Sequence, residues 1–223
     1  MITLGIDTSA VFVSAALVED GSLLGERFEH NSQGHSTLLL PMIDELLRAH
    51  GLAIGDVDRY AVTNGPGSFT GVRIGAATVK GLAQANSKPC AGVSTLAAMA
   101  AGVPKEHSRI ICCAMDARRE QVYAALFRWG IRMAEDEALP ITELEQRLLF
   151  YDRPVTFLGD GAQLCYESMQ KRPDWAPAPE EWRYQRGYGA ILAAGEGDYR
   201  PAEELRVKYL RPSQAERVKL GLE

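Results

Sequence analysis

The stretch Asn64-Gly-Pro-Gly-Ser-Phe-Thr-Gly-Val-Arg-Ile-Gly75 decides how the chain is organised. The apolar run 60–63 before it predicts a buried strand, and the residues from Ser68 onward begin a helix. The glycines therefore form a turn between a strand and the N-terminus of a helix. Such a turn either holds an anion on its free backbone N–H groups or lets another backbone approach closely. The two roles imply different functions for the protein.

The composition is that of a globular protein without a strong charge bias. With 223 residues, the chain can form one large domain or two small ones, each with its own apolar core. Its 24 Lys and Arg against 29 Asp and Glu give a net charge of -5, so no overall basic field holds nucleic acid. The four cysteines lack a repeated metal-binding spacing and are expected to be buried thiols. The absence of a leader or a long apolar run predicts a cytoplasmic protein without a membrane partner.

The first half of the chain predicts a three-stranded meander followed by alternating helices and strands. The strands are 2–6, 10–18 and 23–29, with an Asp20-Gly21 turn between the second and third. The elements that follow are a helix at 36–50, a strand at 56–63, the helix after the Asn64 turn to residue 85, a strand at 89–93 and a helix from Ser94 to 102.

The second half repeats this order, although its residues barely repeat. Its predicted elements are strands at 109–115, 121–129 and 131–134, a helix at 142–150, a strand at 155–158 and a helix from 161 to 169. Residues 171–187 lack a period and predict a surface loop, in which Trp175 and Trp182 are candidates for binding; a helix at 188–194 and an extended segment at 205–210 follow. We expect two α/β lobes facing each other across a cleft: residues 1–104, joined by 203–223, and residues 105–202.

One candidate site is a phosphate or nucleotide site in the cleft. Its residues are Asp7, Thr8 and Ser9 after the first strand, Gly65, Gly67 and Ser68 in the Asn64 turn, and Asp116 and Arg118 after the matching strand of the second lobe. An Asx-type turn explains Asp7 equally well. The turn Ala117-Arg118-Arg119-Glu120 lacks the glycine and small hydroxyl residue of a phosphate cradle. The site is therefore expected to be vestigial.

A hydrolytic site finds no support in the sequence. The four histidines, His30, His35, His50 and His107, form no pair at positions i and i+4 of a helix, and no G-x-S-x-G motif is present. A metallopeptidase function is disfavoured for these reasons, and no metal site is expected.

A second candidate site is the surface of the two helices in the first lobe. Glycine inside a helix costs about 1 kcal/mol relative to alanine, so Gly71, Gly75 and Gly81 imply a compensating contact. Dense packing inside the lobe and close approach of a partner helix both supply one. The run Leu38-Leu39-Leu40 favours a helical subunit interface. The predicted partner-binding residues are His35, Leu39, Met42, Ile43, Leu46, Gly71, Arg73, Ile74, Gly75, Thr78 and Leu82.

Several motifs together resemble one family. They are Gly5-Ile6-Asp7-Thr8-Ser9, His35-Ser36 with Leu40-Pro41, the run Gly65 to Gly75, Gly92-Val93-Ser94-Thr95-Leu96, Asp116-Ala117-Arg118 with Glu120, Val122 and Tyr123, and Tyr209-Leu210-Arg211. On these residues the chain is similar to the TsaB (YeaZ) family over nearly its whole length. The run Gly65 to Gly75 is far more specific than a lone glycine pattern.

The resemblance implies an α/β, two-lobed, actin-like and Hsp70-like ATPase (ASKHA) fold. It implies a non-catalytic accessory subunit that supports TsaD in transferring a threonylcarbamoyl group to adenosine 37 of tRNAs reading A-starting codons. ATP and metal are then expected on partner subunits and not on this chain, a TsaE-like ATPase joins the complex, and tRNA is contacted only indirectly. The same N-terminal helices are expected to form a homodimer when TsaD is absent. The alternative is a small-molecule kinase or ATPase of the same fold.

Overall fold

The computed structural model describes residues 1–30, 34–104 and 108–212. A five-stranded sheet occupies the first half, in the order β3-β2-β1-β4-β5. Its strands are β1 (Ile2–Asp7), β2 (Phe12–Glu19), β3 (Ser22–His30), β4 (Arg59–Gly65) and β5 (Cys90–Ser94). The first three strands form an antiparallel meander, and β4 and β5 run parallel to β1, so the carboxyl ends of β1 and β4 share one edge.

Helices cover both faces of this sheet. Strand β2 shows why: Val13, Ala15 and Leu17 join the core beneath the helices α1 (His35–Ala49) and α2 (Phe69–Ala85), whereas Ala16 and Val18 face the opposite side. On that opposite side lies α3 (Thr95–Ala101). Ser68 and Ser94 cap α2 and α3 by accepting hydrogen bonds from the backbone three residues later.

A second sheet forms the other lobe. Its strands are β6 (Ile110–Asp116), β7 (Gln121–Arg128), β8 (Ile131–Arg132), β9 (Glu137–Pro140), β10 (Val155–Leu158) and β11 (Trp175–Pro177), in the order β11-β10-β6-β7-β8 with β9 also paired to β7. Helices α4 (Ile141–Tyr151) and α5 (Ala162–Ser168) pack on one face. Leu96, Met99 and Ala100 of α3 pack on the other, so α3 lies between the two sheets.

Two short helices end the second half. They are α6 (Glu180–Arg183) and α7 (Gly187–Ala193). Helix α7 packs on the first sheet, where Ala190 and Ile191 join Ala16 and Ala61. It does so although the predicted second lobe, 105–202, contains it. The lobe boundaries remain a prediction, and residues 105–107 and 213–223 lie outside the described residues.

The structure confirms two mixed α/β units, each with antiparallel strands and flanking helices, and corrects the second one in three places. The strand predicted at 131–134 is the two-residue β8, and β9, which the sequence analysis missed, completes the pairing with β7. The predicted surface loop 171–187 contains β11 and α6. Trp175 is only 2 % exposed and packs edge-on against Phe157, so it is a core residue and not a binding residue. No helix within the described residues is long and apolar enough to cross a membrane.

Candidate functional site

The Asn64 turn packs closely against the turn between β1 and β2, residues 8–11. Gly67 has a φ of 157°, and a side chain there would collide with the carbonyl of Ser9. The same carbonyl accepts a hydrogen bond from the backbone N–H of Ser68, at 2.7 Å. The backbone N–H of Ser68, the residue that caps α2, is therefore engaged by the chain itself. Close approach of backbones, one of the two predicted roles of the glycines, is what the structure shows here.

Asp7 has its carboxylate turned into the protein. Its side chain is 1 % exposed and accepts hydrogen bonds from Ser9 N and Ser9 Oγ, each at 3.0 Å, and from Thr63 Oγ1 at 2.5 Å. Burial raises the pKa of the Asp7 carboxyl to about 6, although these hydrogen bonds oppose the shift. Thr8 is also buried, and its hydroxyl donates to the carbonyl of Gly71 at 2.8 Å. Both residues join the β1–β2 turn to β4 and α2.

A cleft of about 600 Å³ lies between the two lobes. Of the predicted phosphate-site residues, Ser9, Gly67, Ser68, Asp116 and Arg118 line it. Asp7 and Thr8 lie behind its wall, and Gly65 packs against the carbonyl of Lys208. The cleft is also lined by residues outside that predicted set, which are Ala10, Val11, His30, His35, Phe69, Met115, Ala117, Arg119, Tyr123, Asp160, Arg211 and Pro212.

The second-lobe wall of the cleft carries both signs of charge. The turn residues Arg118, Arg119 and Glu120 have φ angles of 67°, 57° and 57°. Asp116 accepts a hydrogen bond from the backbone N–H of Arg118 at 2.7 Å, and its own N–H donates to Asp160 at 3.3 Å. Burial raises the pKa of the Asp160 carboxyl to about 6. Among the described residues, no group of three His, Cys, Asp or Glu side chains comes together as metal ligands.

Helix α1 turns most of its predicted partner-binding side chains into its own lobe. Leu39, Met42, Ile43 and Leu46 belong to the core, and the buried His35 donates through Nε2 to the carbonyl of Ala10 at 2.8 Å. These five residues satisfy the inward stripe of an amphipathic helix, which sequence spacing alone cannot distinguish from a docking stripe. A partner approaching α1 would meet the exposed residues instead, which include Thr37, Leu40, Pro41, Asp44 and Glu45.

The glycines of α2 divide into two kinds. Gly71 and Gly75 are buried against Thr8, so their compensating contact lies within the chain. Gly81 is exposed, and no described residue lies within 4 Å of a Cβ built there. Arg73 is also exposed on this helix, and Ile74, Thr78 and Leu82 are partly exposed. Only this outer part of the predicted surface is open to a partner.

The C-terminal segment 205–212 runs across the Asn64 turn and the cleft. Lys208 N donates to the carbonyl of Asn64 at 2.8 Å, and Asn64 Nδ2 donates to the carbonyl of Arg206 at 2.9 Å. Further along, Arg211 Nη1 donates to the carbonyl of Ala117 at 2.9 Å, which joins the first lobe to the β6–β7 turn. An extended segment at 205–210 was predicted from the sequence. Its contact with Ala117 was not, because no local pattern links residues so far apart.

Tyr209 brings this segment onto α2. Its ring stacks on Phe69 with centroids 4.8 Å apart and an interplanar angle of 16°. Its hydroxyl oxygen accepts a hydrogen bond from Arg73 Nε at 2.6 Å.

The chain is similar in sequence to known proteins. The family model described as TsaD, tRNA N6-adenosine threonylcarbamoyltransferase, matches residues 28–168. The chain is 33 % identical over 174 residues to the tRNA threonylcarbamoyladenosine biosynthesis protein TsaB of Bacillus subtilis, covering 76 % of each chain. It is 39 % identical over 126 residues to TsaB of Escherichia coli, covering 56 % of this chain and 54 % of that protein.

Two solved structures have a similar fold. A structure titled YeaZ from Pseudomonas aeruginosa superposes with a TM-score of 0.74 at 28 % identity, covering 93 % of this chain and 99 % of that chain. The (R)-2-hydroxyglutaryl-CoA dehydratase component A of Acidaminococcus fermentans superposes with a TM-score of 0.52 at 12 % identity, covering 87 % of this chain and 97 % of that one. The second likeness concerns the fold alone. Together they confirm the predicted two-lobed, actin-like ATPase fold.

Proposed function

The chain belongs to the TsaB (YeaZ) family, whose members are named for tRNA threonylcarbamoyladenosine biosynthesis, and from that premise we propose that it is a non-catalytic accessory subunit. In this proposal it binds a TsaD-type transferase and supports transfer of the threonylcarbamoyl group to adenosine 37 of tRNAs reading A-starting codons. A TsaE-like ATPase joins the complex, and tRNA reaches this chain only through its partners. The complex works in the cytoplasm.

The observation that carries the proposal is Gly81. A glycine in a helix interior costs about 1 kcal/mol relative to alanine, and at Gly71 and Gly75 the contact with Thr8 explains that cost. No described residue needs the space at Gly81. A helix from another subunit could pack closely over Gly81 and the exposed Ala77. Helix α1, which contacts α2, carries a further exposed apolar side chain, Leu40, which is 53 % exposed.

The cleft supports the non-catalytic part of the proposal. The Asp7 carboxylate accepts hydrogen bonds from Ser9 and Thr63 and does not line the cleft. The facing turn presents Arg118 and Arg119 where a phosphate cradle would have small residues. We therefore assign ATP and metal binding to the partner subunits. The kinase or ATPase alternative requires this chain alone to bind nucleotide in that cleft.

The experiment compares two glycine substitutions. Gly81→Leu fills the open surface of α2, and Gly197→Leu fills an equally open position in the short helical turn Glu196–Asp198, which is not part of α1 or α2. We expect Gly81→Leu to weaken binding to the TsaD-type protein of the same organism at least about tenfold by calorimetry, because the leucine side chain blocks close packing of the partner helix and overpacking a contact costs roughly 1–3 kcal/mol. Gly197→Leu should bind like wild type.

Two results would contradict the proposal. One is a well-folded Gly81→Leu variant that binds the TsaD-type protein with wild-type affinity. The other is a wild-type chain that does not bind it at all. In the absence of that protein, we propose that the same helices form a homodimer, so sedimentation of Gly81→Leu alone should show a monomer.

A further inference from the structure

We infer that Arg73, held beside the stacked rings of Phe69 and Tyr209, is an anchor point that binds a carboxylate of the partner protein. This inference rests on the proposed function and adds to it the C-terminal segment and the chemistry of the group on the other side. The docking surface then extends from α2 onto residues 205–212.

The Arg73 side chain is fixed in place before any partner arrives. Its guanidinium carbon lies 5.7 Å from the ring centre of Phe69 and 5.3 Å from that of Tyr209. Its Nε donates to the Tyr209 hydroxyl at 2.6 Å. Contact with two aromatic rings and one directed hydrogen bond restrict a long side chain, so less entropy is left to lose on binding.

The same arginine keeps its binding face open. An arginine has five N–H donors, and only Nε has an acceptor within residues 1–30, 34–104 and 108–212. Arg73 is exposed, and the planar pair of terminal amino groups matches the two oxygens of a carboxylate. A fixed, exposed arginine flanked by aromatic rings has the composition of an interface hot spot.

The position of Arg73 favours a protein ligand over a free anion. Arg73, Ala77 and Gly81 are spaced four residues apart on the exposed face of α2. They span about 12 Å along the helix axis, at 1.5 Å per residue. A partner helix packed over Ala77 and Gly81 would therefore reach Arg73 with a side chain one or two turns further on.

Holding the C-terminal segment does not by itself account for the Arg73 contacts. That segment is already attached on either side of Tyr209, by the two hydrogen bonds with Asn64 and by the Arg211 bond to Ala117. The Arg73–Tyr209 pair is the exposed part of this arrangement, with Tyr209 44 % exposed. A purely structural pair would affect stability but not affinity, which gives the test its readout.

The test measures binding of the intact chain to the TsaD-type protein by calorimetry at low and moderate salt. We expect Arg73→Gln to weaken binding about 10- to 100-fold and to lower its salt dependence, because a charged pair is lost. Arg73→Lys should recover only part of this loss, since lysine lacks the planar fork. Tyr209→Phe keeps the stack but removes the hydrogen bond, and a loss of about three- to tenfold is expected. Arg200→Gln serves as the matched control, because it removes an exposed arginine outside α2 whose side chain donates to the carbonyl of Tyr199.

The outcomes separate this inference from the proposed function. If Gly81→Leu abolishes binding while Arg73→Gln binds like wild type, the anchor is refuted and the docking surface stands. If wild type does not bind, both fail. If Arg73→Gln leaves binding to the TsaD-type protein unchanged but weakens tRNA binding by the assembled complex, the ligand is a phosphate and the inference is overturned. Thermal melting confirms that each variant is folded.

Discussion

Two alanine substitutions in one helix, Gly75→Ala and Gly81→Ala, should change stability in opposite directions. Replacing a helix glycine with alanine stabilises by about 1 kcal/mol where the methyl group fits. At Gly81 nothing described lies within 4 Å of the new Cβ, so we expect that gain. At Gly75 the Cβ would lie 2.5 Å from Thr8 Oγ1 and 3.3 Å from Val62 Cγ2.

The cost at Gly75 can be worked out from these contacts. Thr8 is buried and donates to the carbonyl of Gly71, so moving its hydroxyl breaks a hydrogen bond worth about 1 kcal/mol. Overpacking a close-packed site adds roughly 1–3 kcal/mol. Subtracting the propensity gain of about 1 kcal/mol leaves Gly75→Ala destabilised by roughly 1–3 kcal/mol.

Urea unfolding and thermal unfolding, both followed by circular dichroism, measure the two changes as free energies and as shifts in Tm. With a change of about 2–4 °C in Tm per kcal/mol for a chain of this size, the two variants should differ by several degrees. The double variant Thr8→Ala/Gly75→Ala removes the clashing hydroxyl and should recover part of the loss. A Gly75→Ala protein as stable as wild type would show that Gly75 is not held against Thr8.

The remaining predictions concern the core, the cleft and the C-terminal segment. Desolvation raises the pKa of the Asp7 carboxyl to about 6, so the folded state binds its proton more tightly than the unfolded state and stability falls as pH rises from about 4 to 7. Asp7→Asn should make this part of a Tm-against-pH curve less steep and leave the slope that Asp160 contributes, and an unchanged slope would contradict the shift. Trp175→Ala should cost roughly 3–5 kcal/mol in urea unfolding because the ring is buried, and a cost below 1 kcal/mol would show that it is not a core residue. Arg211→Ala removes one hydrogen bond to Ala117, so it should lower the free energy of unfolding by about 1 kcal/mol or less. It should also speed hydrogen exchange at the amide of Lys208, and unchanged exchange would show that the bond to Ala117 does not hold the C-terminal segment in place. Calorimetry with ATP and magnesium should give no heat with this chain alone, and clear binding would favour the kinase or ATPase alternative.

Much of the fold could be predicted because it depends on local patterns. The alternation through Val13, Ala15 and Leu17 indicates a strand with a buried face, and Ser68 marks the start of α2 by its capping chemistry. The short elements β9, β11 and α6 were missed because three or four residues are too few to show a period. The candidate site was predicted less well. An apolar stripe on a helix is expected both in a core and at a docking surface. In α1 the stripe is part of the core, which contains Leu39, Met42, Ile43 and Leu46.

Local patterns in the sequence were enough to predict most of the strands and helices in their order, the two-lobed α/β plan and the family. The tertiary structure alone decided which side chains remain available for function. Thr8 meets Gly71 and Tyr209 meets Phe69 and Arg73 across long stretches of chain, and helix α7 lies on the sheet of the other half. Periodicity records which face of an element is apolar, whereas the surface that covers that face depends on how distant elements pack. The role of the Asn64 turn followed from such packing: the carbonyl of Ser9 occupies the N–H of Ser68, and the C-terminal segment lies across the turn.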